Sequence, residues 1–196
     1  MTDTHLSYKA FLGSEDDGVA AEWVDGKVIL TGSSSSLHQE LLGFLLTSLT
    51  VFAEESAPGT LLSRPFQMKT GAKLPGREPD LLYLGDDNRG RLKDKHLEGP
   101  ADLAIEITSP ESRARDRGEK FYEYEQGGVA EYWLIDPDRE QAEFYRPDAR
   151  GIYQLVPLTD GVFESKVLAG LKLDTVWLWQ DPLPPLLSIL RLWKLI

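Results

Sequence analysis

Between residues 101 and 108 the chain reads ADLAIEIT, and this run limits the fold more than any other stretch. Side chains alternate across a strand, so Leu103, Ile105 and Ile107 share one face while Asp102, Ala104, Glu106 and Thr108 share the other. Glu106 is thus an acid set mid-strand among apolar neighbours. A carboxylate there is costly to bury unless it is paired or binds a metal. Ser109-Pro110 closes the strand, and Glu111 to Gln126 reads as a charged helix ended by Gly127-Gly128. A further strand, Glu131 to Ile135, is stopped by Asp136-Pro137.

The preceding residues supply matching elements. Tyr8 to Leu12 forms a short helix, followed by the acidic run Glu15, Asp16 and Asp17. In AEWVDGKVIL, Asp25-Gly26 joins two extended runs, and both residues tolerate the positive φ that a hairpin turn needs. After four serines, Ser36 and Gln39 have the spacing of a capping box. Leu41, Leu42, Leu45, Leu46, Leu49 and Phe52 then recur at helical spacing up to Pro58-Gly59. Leu61 to Lys69 and Pro79 to Leu84 read as strands, separated by the Gly/Pro loop GAKLPGRE. Past residue 137, extended runs at 142–145, 152–156, 162–167 and 171–173 describe an antiparallel meander. PLPP then breaks the pattern before the apolar tail LLSILRLWKLI. The order helix, strands, helix, strand predicts an α/β fold (α+β mixed sheet) with an appended antiparallel β-meander and a C-terminal helix. At 196 residues this is one domain over 1–181, with 182–196 as a helical tail packed on the domain or at an oligomer interface, a homodimer by default.

Composition removes several function classes. There is no Cys, hence no disulfide framework, thiolate nucleophile or cysteine-held zinc. Neither GxGxxG nor GxxxxGK[ST] occurs, and no serine sits in a GxSxG turn. The three histidines, His5, His38 and His96, are too scattered for a histidine-rich metal site. Thirty-two acids against 21 bases give a net charge of -11, which opposes a nucleic-acid packaging role. A nuclease is less affected, because it needs only a local cationic groove and can offset acid with metal. MTDTHLSYKAF has no basic region leading into an apolar core, which predicts a cytoplasmic protein. Leu37 to Ala53 is too short and too polar at one end to span a bilayer, so no membrane partner is expected.

What remains is a set of acids and one lysine. Asp80 opens the strand PDLLYL and meets Glu106 if the two strands are neighbours. Two carboxylates converging from adjacent strands make a hard oxygen site for Mg²⁺ or Mn²⁺. The other reading of the same residues is an Asp80 that caps a turn and a Glu106 paired with a helix lysine. The segments EPDLLYL, PADLAIEITSPESRARDRGEKFYEYEQGGVAEYWLIDP and AEWVDGKV, with LHQ at the start of the long helix and the late GLKL, resemble the Uma-type family of restriction-endonuclease-like proteins. That family is placed in the PD-(D/E)XK nuclease-like superfamily, and the resemblance runs from about residue 6 to about residue 180.

The resemblance implies a restriction-endonuclease-like core and a catalytic set of Asp80, Glu106 and Lys120. Position 108, where that superfamily carries its lysine two residues beyond the acid, is Thr108 here, and the resemblance moves the lysine to Lys120 on the following helix. Asp80, Glu106 and the backbone carbonyl of Ile107 would hold the metal, and the substrate would be nucleic acid, DNA first. Glu22, His38 and Gln39 are secondary candidates. Glu22 also reads as a hairpin acid, His38 as a core histidine and Gln39 as a capping residue. Arg113, Arg115 and Arg117 lie among acids on their helix and read as a solvated face. The net charge and Thr108 favour a rival class, a non-catalytic nuclease fold acting as an interaction or regulatory module.

Overall fold

A computed structural model describes residues 5–14, 20–32 and 35–196. The acidic run at 15–17 and two of the four serines, at 33 and 34, lie outside the described residues. The first elements are helix α1 (Tyr8–Ser14) and the hairpin of β1 (Ala21–Val24) and β2 (Lys27–Leu30). Its turn residues Asp25 and Gly26 have φ of 47° and 81°. Two consecutive positive φ values are what a two-residue turn requires to match the twist of its strands.

Helix α2 (Ser36–Ser56) follows, and its cap lies one residue earlier than the Ser36/Gln39 spacing predicts. Ser35 is the cap, its hydroxyl accepting from the His38 N–H at 3.2 Å. Any serine of a serine run can cap; the register chosen turns Leu41, Leu45, Leu49 and His38 inward and leaves Gln39 exposed.

The expected strand at 61–69 is two strands, β3 (Gly59–Ser63) and β4 (Gln67–Lys69), in different sheets. Pro65 between them has no N–H to offer a ladder, which favours the break there. The chain continues through β5 (Gly76–Arg77), β6 (Leu81–Gly85), β7 (His96–Glu98) and β8 (Leu103–Ile107). The charged helix has three parts: α3 (Arg113–Arg115), a π-helical turn at Asp116–Lys120, and α4 (Phe121–Gly127). Gly128, in left-handed conformation at φ 83°, ends it. Strands β9 (Glu131–Asp136), β10 (Gln141–Pro147), β11 (Tyr153–Leu155), β12 (Val162–Glu164) and β13 (Lys172–Asp174) lead to helix α5 (Leu186–Leu192).

The central sheet has the order β11-β10-β9-β8-β6-β3, with β8 and β9 parallel and the other neighbours antiparallel. Part of the meander therefore extends the central sheet, and β12 with β13 forms a separate hairpin. A second sheet has the order β2-β1-β5-β4-β7. The alternation read in ADLAIEIT holds. Leu103, Ile105 and Ile107 join Leu81 and Trp133 against Leu41, Leu45 and Leu49 of α2. Ala104 faces the opposite core with Leu82, Leu134, Met68 and Tyr124. The sheet is thus covered on both sides, and the β8 carboxylate has to be accommodated on the α4 side.

The tail folds back on α2. Ile189 and Leu190 are buried, the Trp193 ring meets Phe52 edge-on at 5.4 Å, and Trp193 Nε1 donates to the Lys172 carbonyl at 2.8 Å. Among the described residues no helix is long and apolar enough to cross a membrane.

Candidate active site

Strand register brings the two acids together. Leu81 pairs with Ile105 in the antiparallel β6–β8 ladder, so one step further along places Asp80 across from Glu106 on the same face. The Ile107 N–H donates to Asp80 Oδ2 at 2.8 Å, which ties the strand ends at this point. His38 Nε2 lies 3.1 Å and Arg64 Nη1 3.3 Å from Asp80 Oδ1. Burial works to raise the Asp80 pKa, but the His38 contact and the Ile107 N–H prevail and lower it. Asp80 is the ionised member of the pair.

Glu106 is held from the helix. Lys120 Nζ and the Tyr124 hydroxyl both donate to its Oε1, at 2.9 and 2.8 Å. Lys120 Nζ also lies 2.9 Å from Glu22 Oε1 and 3.5 Å from Asp116 Oδ1. One buried ammonium therefore serves three buried carboxylates, and its own pKa is raised because their attraction outweighs the cost of burial. The carboxylates divide the benefit unequally. Glu22 is also gripped by Arg77 Nη1 at 2.8 Å. Burial opposes its charge, but Lys120 and Arg77 together hold its pKa at about 2. Glu106 has Lys120 alone against burial and the nearby charges of Asp116 and Asp80, and its pKa is pushed up to about 8.

The π-helical turn makes this reach possible. Its hydrogen bonds run from i to i+5, so residues five apart are brought to the same side. In a regular α-helix five residues at about 100° each would leave Arg115 and Lys120 about 140° apart. Here both line one cleft of about 720 Å³ with Asp80, Glu106, His38 and Arg64.

The structure assembles Asp80, Glu106, Lys120, Glu22 and His38, with the Ile107 backbone beside them. Gln39 is exposed on α2 and is not part of this group. Thr108 is buried, with its hydroxyl lacking a hydrogen-bond partner among the described residues. The arginine helix departs from a solvated face. Arg113 forms a two-pronged pair with Asp136 at 2.6 and 2.9 Å, and Arg117 bonds Glu143.

Sequence reasoning passed over Arg77 and Arg64, and reached Asp116 only as a helix neighbour of Lys120. Arg77 sits in a loop segment that gives no strand signal, although it is almost fully buried and binds Glu22, Glu119 and Glu123. Asp116 and Tyr124 stand four residues either side of Lys120, and that spacing was their only trace in the chain.

All the acidic donors are carboxylates, the set a hard divalent cation prefers over softer metals. Burial first, and then the nearby charges of Asp116 and Asp80, raise the Glu106 pKa, and a bound cation would oppose that rise. These features fit Mg²⁺ or Mn²⁺. Among the described residues, no three Asp, Glu or His side chains already stand at ligand spacing. Asp80 Oδ1 and Glu106 Oε1 are occupied by His38, Arg64, Lys120 and Tyr124 instead.

Residues 6–176 match the Uma2 family, described as "Putative restriction endonuclease". Among solved structures, the chain is similar to a "putative nuclease belonging to DUF820" from Anabaena variabilis, with a TM-score of 0.71 and 19% sequence identity. The match covers 87% of this chain and 96% of that one, and at this identity it shows the fold. No curated protein matches.

Proposed function

The chain belongs to the Uma2 family of restriction-endonuclease-like proteins, and from that premise we propose that it is a metal-dependent endonuclease hydrolysing nucleic-acid phosphodiester bonds, with DNA as its first substrate class. The observation that carries the proposal is the convergence of Asp80, Glu106 and Lys120 in one cleft. Lys120 meets Glu106 at 2.9 Å from a different element, although no lysine follows Glu106 on its own strand.

Asp80, Glu106 and the Ile107 carbonyl are the groups that would hold Mg²⁺ or Mn²⁺. When bound, such an ion supplies Lewis-acid activation of water and neutralises phosphate charge. The remaining work falls to the side chains. His38 and the Ile107 N–H keep Asp80 ionised and fixed in direction. Tyr124, which does not line the cleft, fixes Glu106 by donating to Oε1. Lys120 presents a fixed positive charge beside Glu106, where it can orient the attacking water or stabilise charge building on phosphorus. Glu22 anchors Lys120 in that position.

A second reading, a nuclease fold without catalysis, is favoured by one observation: both Asp80 oxygens already accept from or pair with protein groups. A cleavage assay separates the two. Single- and double-stranded DNA and RNA are incubated with millimolar Mg²⁺ or Mn²⁺, with Glu106→Ala as control. Metal-dependent cleavage lost in Glu106→Ala supports the endonuclease. Cleavage that persists unchanged in Glu106→Ala removes this mechanism, and no cleavage by the wild type supports the second reading.

A further inference from the structure

The cleft is lined by six carboxylates against three fixed cations, Arg64, Arg115 and Lys120. A polyanion entering it needs a cation that the protein has not already spent. Lys120 is committed to Glu106, Glu22 and Asp116. Arg64 is committed to Asp80 and bonds Thr31. Arg115 is different. Its Nε is buried and has no hydrogen-bond partner among the described residues. Glu22 Oε2 lies 3.9 Å from it, beyond hydrogen-bond range, and that carboxylate is already shared by Arg77 and Lys120.

The neighbouring arginines show the contrast. Arg113 and Arg117 bond Asp136 and Glu143, and neither lines the cleft; Arg117 also keeps a buried Nε and Nη2 without a hydrogen-bond partner among the described residues, so what sets Arg115 apart is that its unpartnered group belongs to the cleft wall. The π-helical turn swings Arg115 to the side of Lys120, and both line the cleft. A guanidinium fork matches phosphate oxygens two at a time. An unpartnered buried Nε is costly, and a phosphate oxygen is the acceptor that such a site would supply.

We propose that Arg115 is the substrate-binding residue that grips a phosphate of the nucleic-acid strand in this cleft. The assignment rests on the endonuclease reading for its substrate class. It divides the arginine helix by function: Arg113 and Arg117 fasten the helix to β9 and β10, and Arg115 faces the substrate.

The test uses the full chain and labelled single- and double-stranded DNA oligonucleotides in millimolar Mg²⁺. Anisotropy gives Kd and its salt dependence, initial rates give KM and kcat, and a thermal melt checks folding. Arg115→Ala is expected to raise Kd and KM at least tenfold and to lower the slope of log Kd against log salt by about one. Arg115→Lys should recover part of the affinity, since it keeps charge but loses the fork. Arg113→Ala should lower Tm and leave Kd of the folded protein unchanged. An Arg115→Ala protein that binds as wild type does, with the wild-type salt slope, overturns the assignment and leaves the endonuclease reading intact. A wild type that binds without cutting, and loses binding in Arg115→Ala, supports Arg115 and sinks the hydrolytic reading. A wild type that neither binds nor cuts overturns both.

Discussion

Replacing Lys120 by Met keeps the unbranched apolar stem of the side chain and removes the one ammonium that Glu22, Glu106 and Asp116 share. At an effective dielectric of about 20, a charge pair near 3 Å is worth roughly 4–6 kcal/mol. Against that stands the cost of burying an ammonium, several kcal/mol, which the variant no longer bears. Breaking a buried pair from one side costs about 3–5 kcal/mol, and three carboxylates left behind place this variant at the upper end. That is a large share of the about 5–15 kcal/mol that holds a domain of this kind together. The pH dependence identifies the cause. Without Lys120, Glu22 loses one of the two cations that hold its pKa at about 2 and should titrate above its unfolded value near 4, while Glu106, already at about 8 with Lys120 present, is driven higher. The native state then binds more protons than the unfolded one between those limits, so stability falls as pH rises. The slope is about 1.4 kcal/mol per pH unit for each group that titrates. Urea unfolding of wild type and Lys120→Met from pH 4 to 8 should show a gap that is small at the acid end and widens upward. Millimolar Mg²⁺ should narrow it by mass action on the native state. A variant within about 1 kcal/mol of wild type across that range would refute the claim that Lys120 neutralises these acids.

The Asp136 carboxylate has a lowered pKa, burial being outweighed by Arg113, so its contribution to stability is present above the unfolded value near 4 and is lost as pH falls through the lower folded one; Asp136→Asn should therefore be less stable than wild type at pH 7 and converge with it in acid unfolding. Gly118 is exposed, with open space where a Cβ would sit, so Gly118→Ala should stabilise the helix by about 0.5–1 kcal/mol, read as a raised Tm. Gly59→Ala should do the reverse, because its Cβ would lie 2.6 Å from the Leu84 carbonyl oxygen. Truncation after Asp181 strips Ile189, Leu190 and Trp193 from α2 and should lower Tm in a chain whose mass in solution shows it monomeric; a dimer that dissociates on truncation would place the tail at an interface instead.

Local chemistry made most of the elements legible. Asp25-Gly26, the leucine stripe of α2 and the alternation in ADLAIEIT each act within a few residues, and each gave its element directly. Legibility failed where the deciding partner is distant. The split between β3 and β4 depends on which sheet each half joins, since β4 pairs with β5 and β7 while β3 pairs with β6. The two-residue strand β5 has no pattern to show; it exists because β1 and β4 lie on either side of it. Arg113 and Arg117 read as solvated for the same reason, because Asp136 and Glu143 are more than 20 positions away.

The lysine poses a different kind of problem. A lysine at 108 would lie on the Glu106 face of β8, two residues along the strand, and its position could be read from the strand period alone. Lys120 reaches the same carboxylate only because the helix closes one turn with an extra residue, and nothing in the composition of Asp116–Lys120 announces that turn. A regular α-helix over 113–127 would turn Arg115 and Lys120 to different sides. The π-helical turn is therefore what lets a cation reach Glu106 from the helix, while the strand itself offers Thr108 with an unpartnered hydroxyl among the described residues. Deleting Gly118, an exposed residue of that turn, would restore the α-helical register and rotate Arg115 and Lys120 apart. Loss of cleavage in that deletion, alongside full activity in Gly118→Ala, would separate the geometry of the turn from the identity of its residues.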